Sequence, residues 1–239
     1  MRFRVGTSGW NYPEWKGTFY PADTKPGAML PYYADRYDAV EVNATFYRMP
    51  TAKTVAGWAA AVPADFTFVL KAPQRITHFR RLRDVDEPVR AFCYVARGLG
   101  TRLGPLLFQL PPNFKKDVGR LGDILYMVPP DVRMAWEFRH DSWFADDVYE
   151  RLRARNAALA IVEDEESTTP VLATADWGYV RLRAVDYTNA QLSTWVETIR
   201  AAGAGWRDAF VFFKHETRAP GLAAVFQKQA GGASSQPRG

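Results

Sequence analysis

Glu41 and Glu137 each close a short apolar run, Ala39-Val40 before one and Ala135-Trp136 before the other. A carboxylate there is costly to bury unless it is paired or hydrogen-bonded. Two carboxylates in different surroundings can divide proton transfer between them, one as acid and one as base. Lys71 closes a third run, Phe68-Val69-Leu70, where an amine could form a Schiff base, bind phosphate or tune a neighbouring acid. A structural reading stands beside the catalytic one: Lys71 as charge partner of Glu41, and Arg139, Arg48 or Lys71 as salt-bridge partners of the two glutamates.

Of the three histidines, His78, His140 and His215, His78 suits proton transfer or ligand binding. None stands at a His-x-His, His-x-x-x-His or His-Glu-x-x-His spacing, so no metal ligand is assigned. Arg139, Arg181, Arg183 and Lys214, with His215, gather positive charge behind further apolar runs. With the backbone donors of Thr7-Ser8-Gly9 they form a predicted cradle for a phosphate or carboxylate. Asn43 and Gln109 would orient hydroxyls or amides. Trp10, Tyr47 and Trp143 offer rigid faces to wall a cleft, or else seal loops onto the body of the fold. Ser8 and Ser142 lack the Gly-x-Ser-x-Gly elbow, and no nucleoside-triphosphate loop is present.

These residues need a scaffold that brings strand ends together. Apolar, β-rich runs occur at 3–7, 39–43, 66–71, 106–110, 133–138, 159–162, 179–182 and 210–214, nearly continuous in their hydrophobicity, as in strands covered on both faces. Helical spacing marks 51–61, 88–99, 118–128, 147–156 and 189–201, and Thr194 with Glu197 is compatible with a capping pair. Eight strands alternating with helices predict an α/β fold, a TIM-type (β/α)8 parallel barrel, as a single domain over 1–229. A doubly wound open sheet is the alternative. In a barrel every strand-end group above lies on the C-terminal rim, where such barrels work. The small-residue stretch 230–239 reads as a disordered tail.

The 239 residues suit one such barrel, and 47% hydrophobic content supplies its core. A net charge of +5 favours anionic partners. The arginine groups at 80–83 and 151–155 read as solvated faces. A single cysteine, Cys93 in Ala91-Phe92-Cys93-Tyr94-Val95, excludes an intramolecular disulfide and reads as a buried thiol. The start of the chain shows no leader pattern, and no apolar run nears the roughly 18–20 residues of a membrane span. A soluble, cytoplasmic protein is expected.

Several motifs occur together in order: Gly6-Thr7-Ser8-Gly9-Trp10 with Tyr12, Trp15, Gly17 and Phe19-Tyr20-Pro21; Glu41-Val42-Asn43 with Thr45-Phe46-Tyr47-Arg48; Lys71 with Thr77-His78; Leu103-Gly104-Pro105 through Gln109-Leu110-Pro111-Pro112; and Glu137-Phe138-Arg139-His140 with Ser142-Trp143-Phe144. In these the chain resembles the family called domain of unknown function 72, the YecE-like proteins, over nearly its whole length. The resemblance implies a TIM-type barrel and brings no established reaction. Many members carry Arg-Leu-His-Gly where this chain has Arg181-Leu182-Arg183-Ala184, and an Asn-Asn pair where it has Lys214-His215-Glu216. The rim here is accordingly more basic.

The expected function is that of a barrel enzyme, a hydrolase or an isomerase or lyase, acting on a polar anionic sugar- or nucleotide-like molecule. Glu41 and Glu137 would do the acid/base work, with a ligand between them. Nucleic-acid binding or processing, with loop aromatics stacked on unpaired bases, is the alternative. A ligand sensor without turnover is the third reading. The sequence names no cofactor and no oligomeric state.

Overall fold

The computed structural model describes residues 1–231 of the chain. Eight strands form one sheet: β1 (Arg2–Thr7), β2 (Ala39–Val42), β3 (Thr67–Lys71), β4 (Leu103–Gln109), β5 (Met134–Glu137), β6 (Ala158–Glu163), β7 (Gly178–Leu182) and β8 (Asp208–Phe213). Their order is β1-β8-β7-β6-β5-β4-β3-β2, and every paired neighbour runs parallel. The sheet rolls into a nearly closed barrel, as the sequence predicts.

Closure between β1 and β2 rests on a single bridge, Ser8 to Glu41. A tyrosine completes it. The Tyr33 hydroxyl accepts the Thr7 N–H at 2.7 Å and donates to the Ala39 carbonyl at 3.1 Å, so it stands where a ladder bond would run. Gly6 lets the two strands come this close: a Cβ there would lie 1.9 Å from the Ala39 carbonyl oxygen.

Helices cover the outside: α1 (Pro26–Ala34), α2 (Ala44–Tyr47), α3 (Ala52–Ala60), α4 (Asp86–Arg97), α5 (Val118–Met127), α6 (Asp146–Ala154), α7 (Asn189–Ala202) and α8 (Ala219–Gln229). The five helices expected from periodicity are α3 to α7. No helix joins β6 to β7; residues 164–177 return beside β6 instead, held by the Thr169 and Thr174 hydroxyls, which accept the Val162 and Leu159 N–H groups. The cap of α7 is Thr188, paired reciprocally with Gln191, and not Thr194, whose hydroxyl donates to the Ala190 carbonyl inside the helix. β4 begins three residues before the predicted run. Pro105 has no N–H to give, and the ladder between β3 and β4 is irregular at that point.

Two apolar layers result. Inside the barrel, Ala39, Val69, Leu107, Ala135, Ala160, Tyr179, Phe210 and Phe212 fill the lumen. Outside, residues such as Phe68, Phe108, Trp136 and Val180 pack against the helices. Cys93 is buried in this outer layer, on α4, where burial pushes its thiol up to about 11. The tail expected over 230–239 lies, from residue 232 on, outside the described residues. No helix among the described residues is long and apolar enough to cross a membrane.

Candidate functional site

Successive side chains of a strand point to opposite faces. The phase that puts Ala39, Val69, Leu107, Ala135, Tyr179 and Phe210 in the lumen therefore also turns Glu41, Lys71, Gln109, Glu137, Arg181 and Phe212 inward, one step nearer the C-terminal end. The register aligns them, with Gln109 beside Glu137, Arg181 beside Phe212 and Ser8 beside Glu41. One step further lie Asn43, Arg139, Arg183 and Lys214 at the rim.

Arg181 occupies the centre. Its Nη2 donates to Glu41 Oε1 at 2.8 Å and its Nη1 to Glu137 Oε2. The gap between the two carboxylates, where the sequence reading puts a ligand, is thus taken by the protein's own guanidinium. Neither Arg139, Arg48 nor Lys71 is the principal partner of the pair. Glu41 is saturated: Ser8 Oγ (2.7 Å) and Asn43 Nδ2 (3.1 Å) also donate to Oε1, and the Tyr179 hydroxyl donates to Oε2 at 2.6 Å. Gln109 Nε2 donates to Glu137 Oε1 at 2.6 Å.

Burial opposes ionisation of both carboxyls, but it is outweighed. Arg181, Tyr179 and Ser8 lower Glu41 to about 2, and Arg181, Gln109 and Arg183 hold Glu137 below the usual carboxylate range. Burial likewise disfavours the Arg181 charge, and Glu137 and Glu41 more than restore it. Near neutral pH both glutamates are charged and have no proton to donate.

Gln109 passes the chain on, accepting from Lys71 Nζ at 2.8 Å through its Oε1. Lys71 also lies over the Phe46 ring, 4.1 Å from its centroid. Burial, followed by repulsion from Arg181, lowers Lys71 to about 8. His78 packs edge-on against the same Phe46, at 4.8 Å, and its Nδ1 meets the Thr77 hydroxyl at 2.9 Å. Burial, Lys71 and Arg139 lower His78 to about 4, so it is neutral at physiological pH.

Above this layer Arg139 and Arg183 approach Glu137 Oε1 at 3.9 Å each, too far for a hydrogen bond. The Arg183 Nε is buried with no hydrogen-bond partner. Both arginines line a cavity of about 290 Å³ together with Glu137, Asp164, Ser167 and Thr168, its far wall formed by the helix-free return between β6 and β7. Lys214 is exposed beside them; burial and the charges of Arg183 and Arg181 lower its pKa.

Other expected ligand contacts lie elsewhere. The three backbone donors of the proposed cradle are spent: Thr7 N–H on Tyr33, Ser8 N–H on the Phe213 carbonyl and Gly9 N–H on the Thr7 carbonyl. Trp143 is fully buried, stacked on Phe138, and its Nε1 donates to the Phe114 carbonyl at 2.7 Å. Trp10 packs edge-on to Trp58 and Phe68 between barrel and helix. His215 Nδ1 accepts from the Thr217 and Arg218 N–H groups ahead of α8. Tyr47 is 75% exposed at the side of Phe46. Sequence reasoning passed over Tyr179, which looks like an ordinary apolar strand residue, and it named Phe46 only as part of a motif.

The profile of the family described as "Protein of unknown function DUF72" matches residues 4–238. UPF0759 protein YecE of Escherichia coli (strain K12) is 30% identical over 143 residues, 59% of this chain and 50% of that protein. UPF0759 protein YunF of Bacillus subtilis (strain 168) is 30% identical over 156 residues, 62% of this chain and 54% of that one. The chain spans about half the length of these curated relatives. The crystal structure of a DUF72 family protein from Thermotoga maritima superposes with a TM-score of 0.83 at 27% identity, covering 95% of this chain and 98% of that one. One from Enterococcus faecalis gives 0.79 at 19% identity, over 96% and 95%, a likeness of fold.

Proposed function

The chain belongs to the DUF72 family, and from that premise we propose that its C-terminal rim binds a small polar anion carrying a phosphate or carboxylate group. Arg183 carries this reading: its buried Nε has no partner, and it lines the rim cavity with Arg139. A buried donor left unpaired is costly, and a ligand oxyanion would satisfy it. The charge balance agrees. Arg181, Lys71, Arg139, Arg183 and Lys214 act on one another around the carboxylates Glu41 and Glu137, and burial together with mutual repulsion lowers Lys71, Arg183, Lys214 and His78. A bound anion relieves that repulsion. Chemistry on the ligand then falls to Lys71, which holds its proton loosely, and to the neutral imidazole of His78, while Glu41 and Glu137 act through Arg181 as the floor of the site.

The test is a titration with inorganic phosphate at constant ionic strength, read as thermal stability. A saturable rise in melting temperature is expected, lost in Arg183→Met and kept in Arg97→Met, whose side chain pairs with Asp131 far from the rim cluster. An equal response in both variants, or none in the wild type, would overturn the reading.

A second reading, single-stranded nucleic acid, is favoured by Tyr47 and Phe79, 75% and 71% exposed at the end of α2 and of the helical turn after β3, with Arg48, Arg75 and Arg80 close in sequence. It requires affinity for a single-stranded oligonucleotide that falls steeply with salt and is weakened by Tyr47→Ala. Equal affinity of Tyr47→Ala and wild type would dismiss it.

A further inference from the structure

We infer that Lys71 forms a covalent imine with an aldehyde or ketone group of the bound anion, so that the ligand class is a small oxo acid or a phosphorylated carbonyl compound. The inference rests on the anion-binding reading above and names the chemistry of that site.

Among the inward-facing polar residues of the layer beneath the rim, Lys71 is the one without an assigned structural task. Ser8 and Glu41 hold each other, Glu137 and Arg181 are locked together, and Gln109 spans Lys71 and Glu137. Among the described residues Lys71 makes no ion pair within 4 Å, although it is buried. It is also the most accessible of that layer, with 9% exposure against 7% for Gln109, 3% for Ser8, 1% for Glu137 and Arg181, and 0% for Glu41. An amine desolvated beside another cation is a setting in which lysine becomes a nucleophile, and Lys71 is buried with Arg181 acting on it.

The neighbours fit that chemistry. Glu137 can only accept from Gln109, which fixes the Gln109 amide with its Oε1 toward Lys71. A neutral Nζ donates one N–H to that oxygen and keeps its lone pair for attack. The lone pair bonds to the carbonyl carbon while the C=O π pair moves to oxygen, which takes a proton. Nitrogen gives up a proton to form the neutral carbinolamine. Protonation of the hydroxyl releases water, and the nitrogen lone pair closes a C=N bond. The sum is amine plus carbonyl plus one proton, giving a protonated imine and water, with no oxidant or reductant. His78, neutral and packed on the Phe46 that Lys71 also covers, is the group to carry those protons. The iminium keeps the single positive charge that the lysine ammonium had, over the same ring, and Arg139 and Arg183 hold the anionic end.

The experiment treats the full chain with glyoxylate, an anionic aldehyde, or with propanal, a neutral one, in the presence of cyanoborohydride. That reagent reduces an imine irreversibly to a secondary amine. Intact mass and peptide mapping locate the adduct. At pH 7 glyoxylate should label Lys71 roughly 10-fold or more faster than the surface lysines, because more of it is neutral. Labelling should be suppressed by inorganic phosphate, and Lys71→Arg, which keeps the charge but forms no such adduct, should abolish it. Modification scattered over exposed lysines overturns the inference. So does an absence of adduct at Lys71 in a protein that phosphate still stabilises through Arg183, and in that case the anion site stands. Equal labelling of Lys71 by propanal and glyoxylate, without protection by phosphate, removes the anion site and with it the proposed ligand class.

Discussion

Arg181 Nη2 lies 2.8 Å from Glu41 Oε1, so a guanidinium from β7 meets a carboxylate from β2 across the lumen, with both side chains almost wholly buried. The same guanidinium holds Glu137 of β5 on its other nitrogen. Removing the cation strands two buried negative charges. Arg181→Met is expected to cost about 3–5 kcal/mol in denaturant-induced unfolding, the usual penalty for breaking a buried pair from one side. Arg181→Lys should recover only part of this, because one ammonium nitrogen replaces the two guanidinium nitrogens that reach Glu41 and Glu137 separately. A loss below about 1 kcal/mol for Arg181→Met would mean that the pair is not a structural tie.

Tyr33 offers a second check at the seam of the barrel. Tyr33→Phe leaves the Thr7 N–H and the Ala39 carbonyl without the hydroxyl that joins them. The expected cost is about 1–3 kcal/mol, with faster amide exchange at Thr7 than at strand positions inside the β7–β8 ladder. Unchanged exchange at Thr7 would show that the seam is held by other means.

Stability should fall in two acid windows. His78 titrates near 4 in the folded protein against an ordinary value of 6.5. Between these values the unfolded chain takes up a proton that the folded one refuses, so stability declines as pH drops from about 6.5 to about 4. Glu41 is depressed from 4.5 to about 2, so its contribution is present above about 4.5 and disappears as pH falls toward 2. His78→Asn should flatten the first window and leave the second. Circular dichroism of urea unfolding at stepped pH decides it, and a first window of the same depth in the variant would exclude His78 as its source.

Anion binding should carry protons with it. Sulfate, fully ionised across the range, would raise Lys71 from about 8 by placing negative charge beside it. Calorimetric titrations in buffers of different ionisation enthalpy should therefore show proton uptake at pH 8 and almost none at pH 6.5, where Lys71 is already protonated. Uptake that persists in Lys71→Met would assign the proton to another group.

The strands were legible because each is an apolar run covered on both faces, and a barrel gathers the strand-end groups Glu41, Lys71, Gln109, Glu137 and Arg181 at one rim; that they all turn inward follows from the register. α1 was not legible: Pro26, Gly27 and Pro31 interrupt the pattern of a helix that forms nonetheless, with Met29, Leu30 and Tyr33 buried on the barrel wall. α8 opens on Ala-Pro-Gly, which reads as a turn. The role of Arg181 depends on contacts to residues 44 and 140 positions away, and no local spacing encodes that. The tryptophans stayed open between two roles for a related reason. A loop indole reads alike whether its ring faces a cleft or the core, and Trp143 finds its partner in the Phe114 carbonyl.

A cylinder whose staves are laced most thinly at one joint yields first at that joint. Ser8 belongs to the joint and is also a fastening of Glu41. Thermal parting of the staves there would slacken the carboxylate and release half of the Arg181 fork, letting water reach the lumen from the side. The most deeply buried ion pair among the described residues thus stands beside the barrel's least-laced edge.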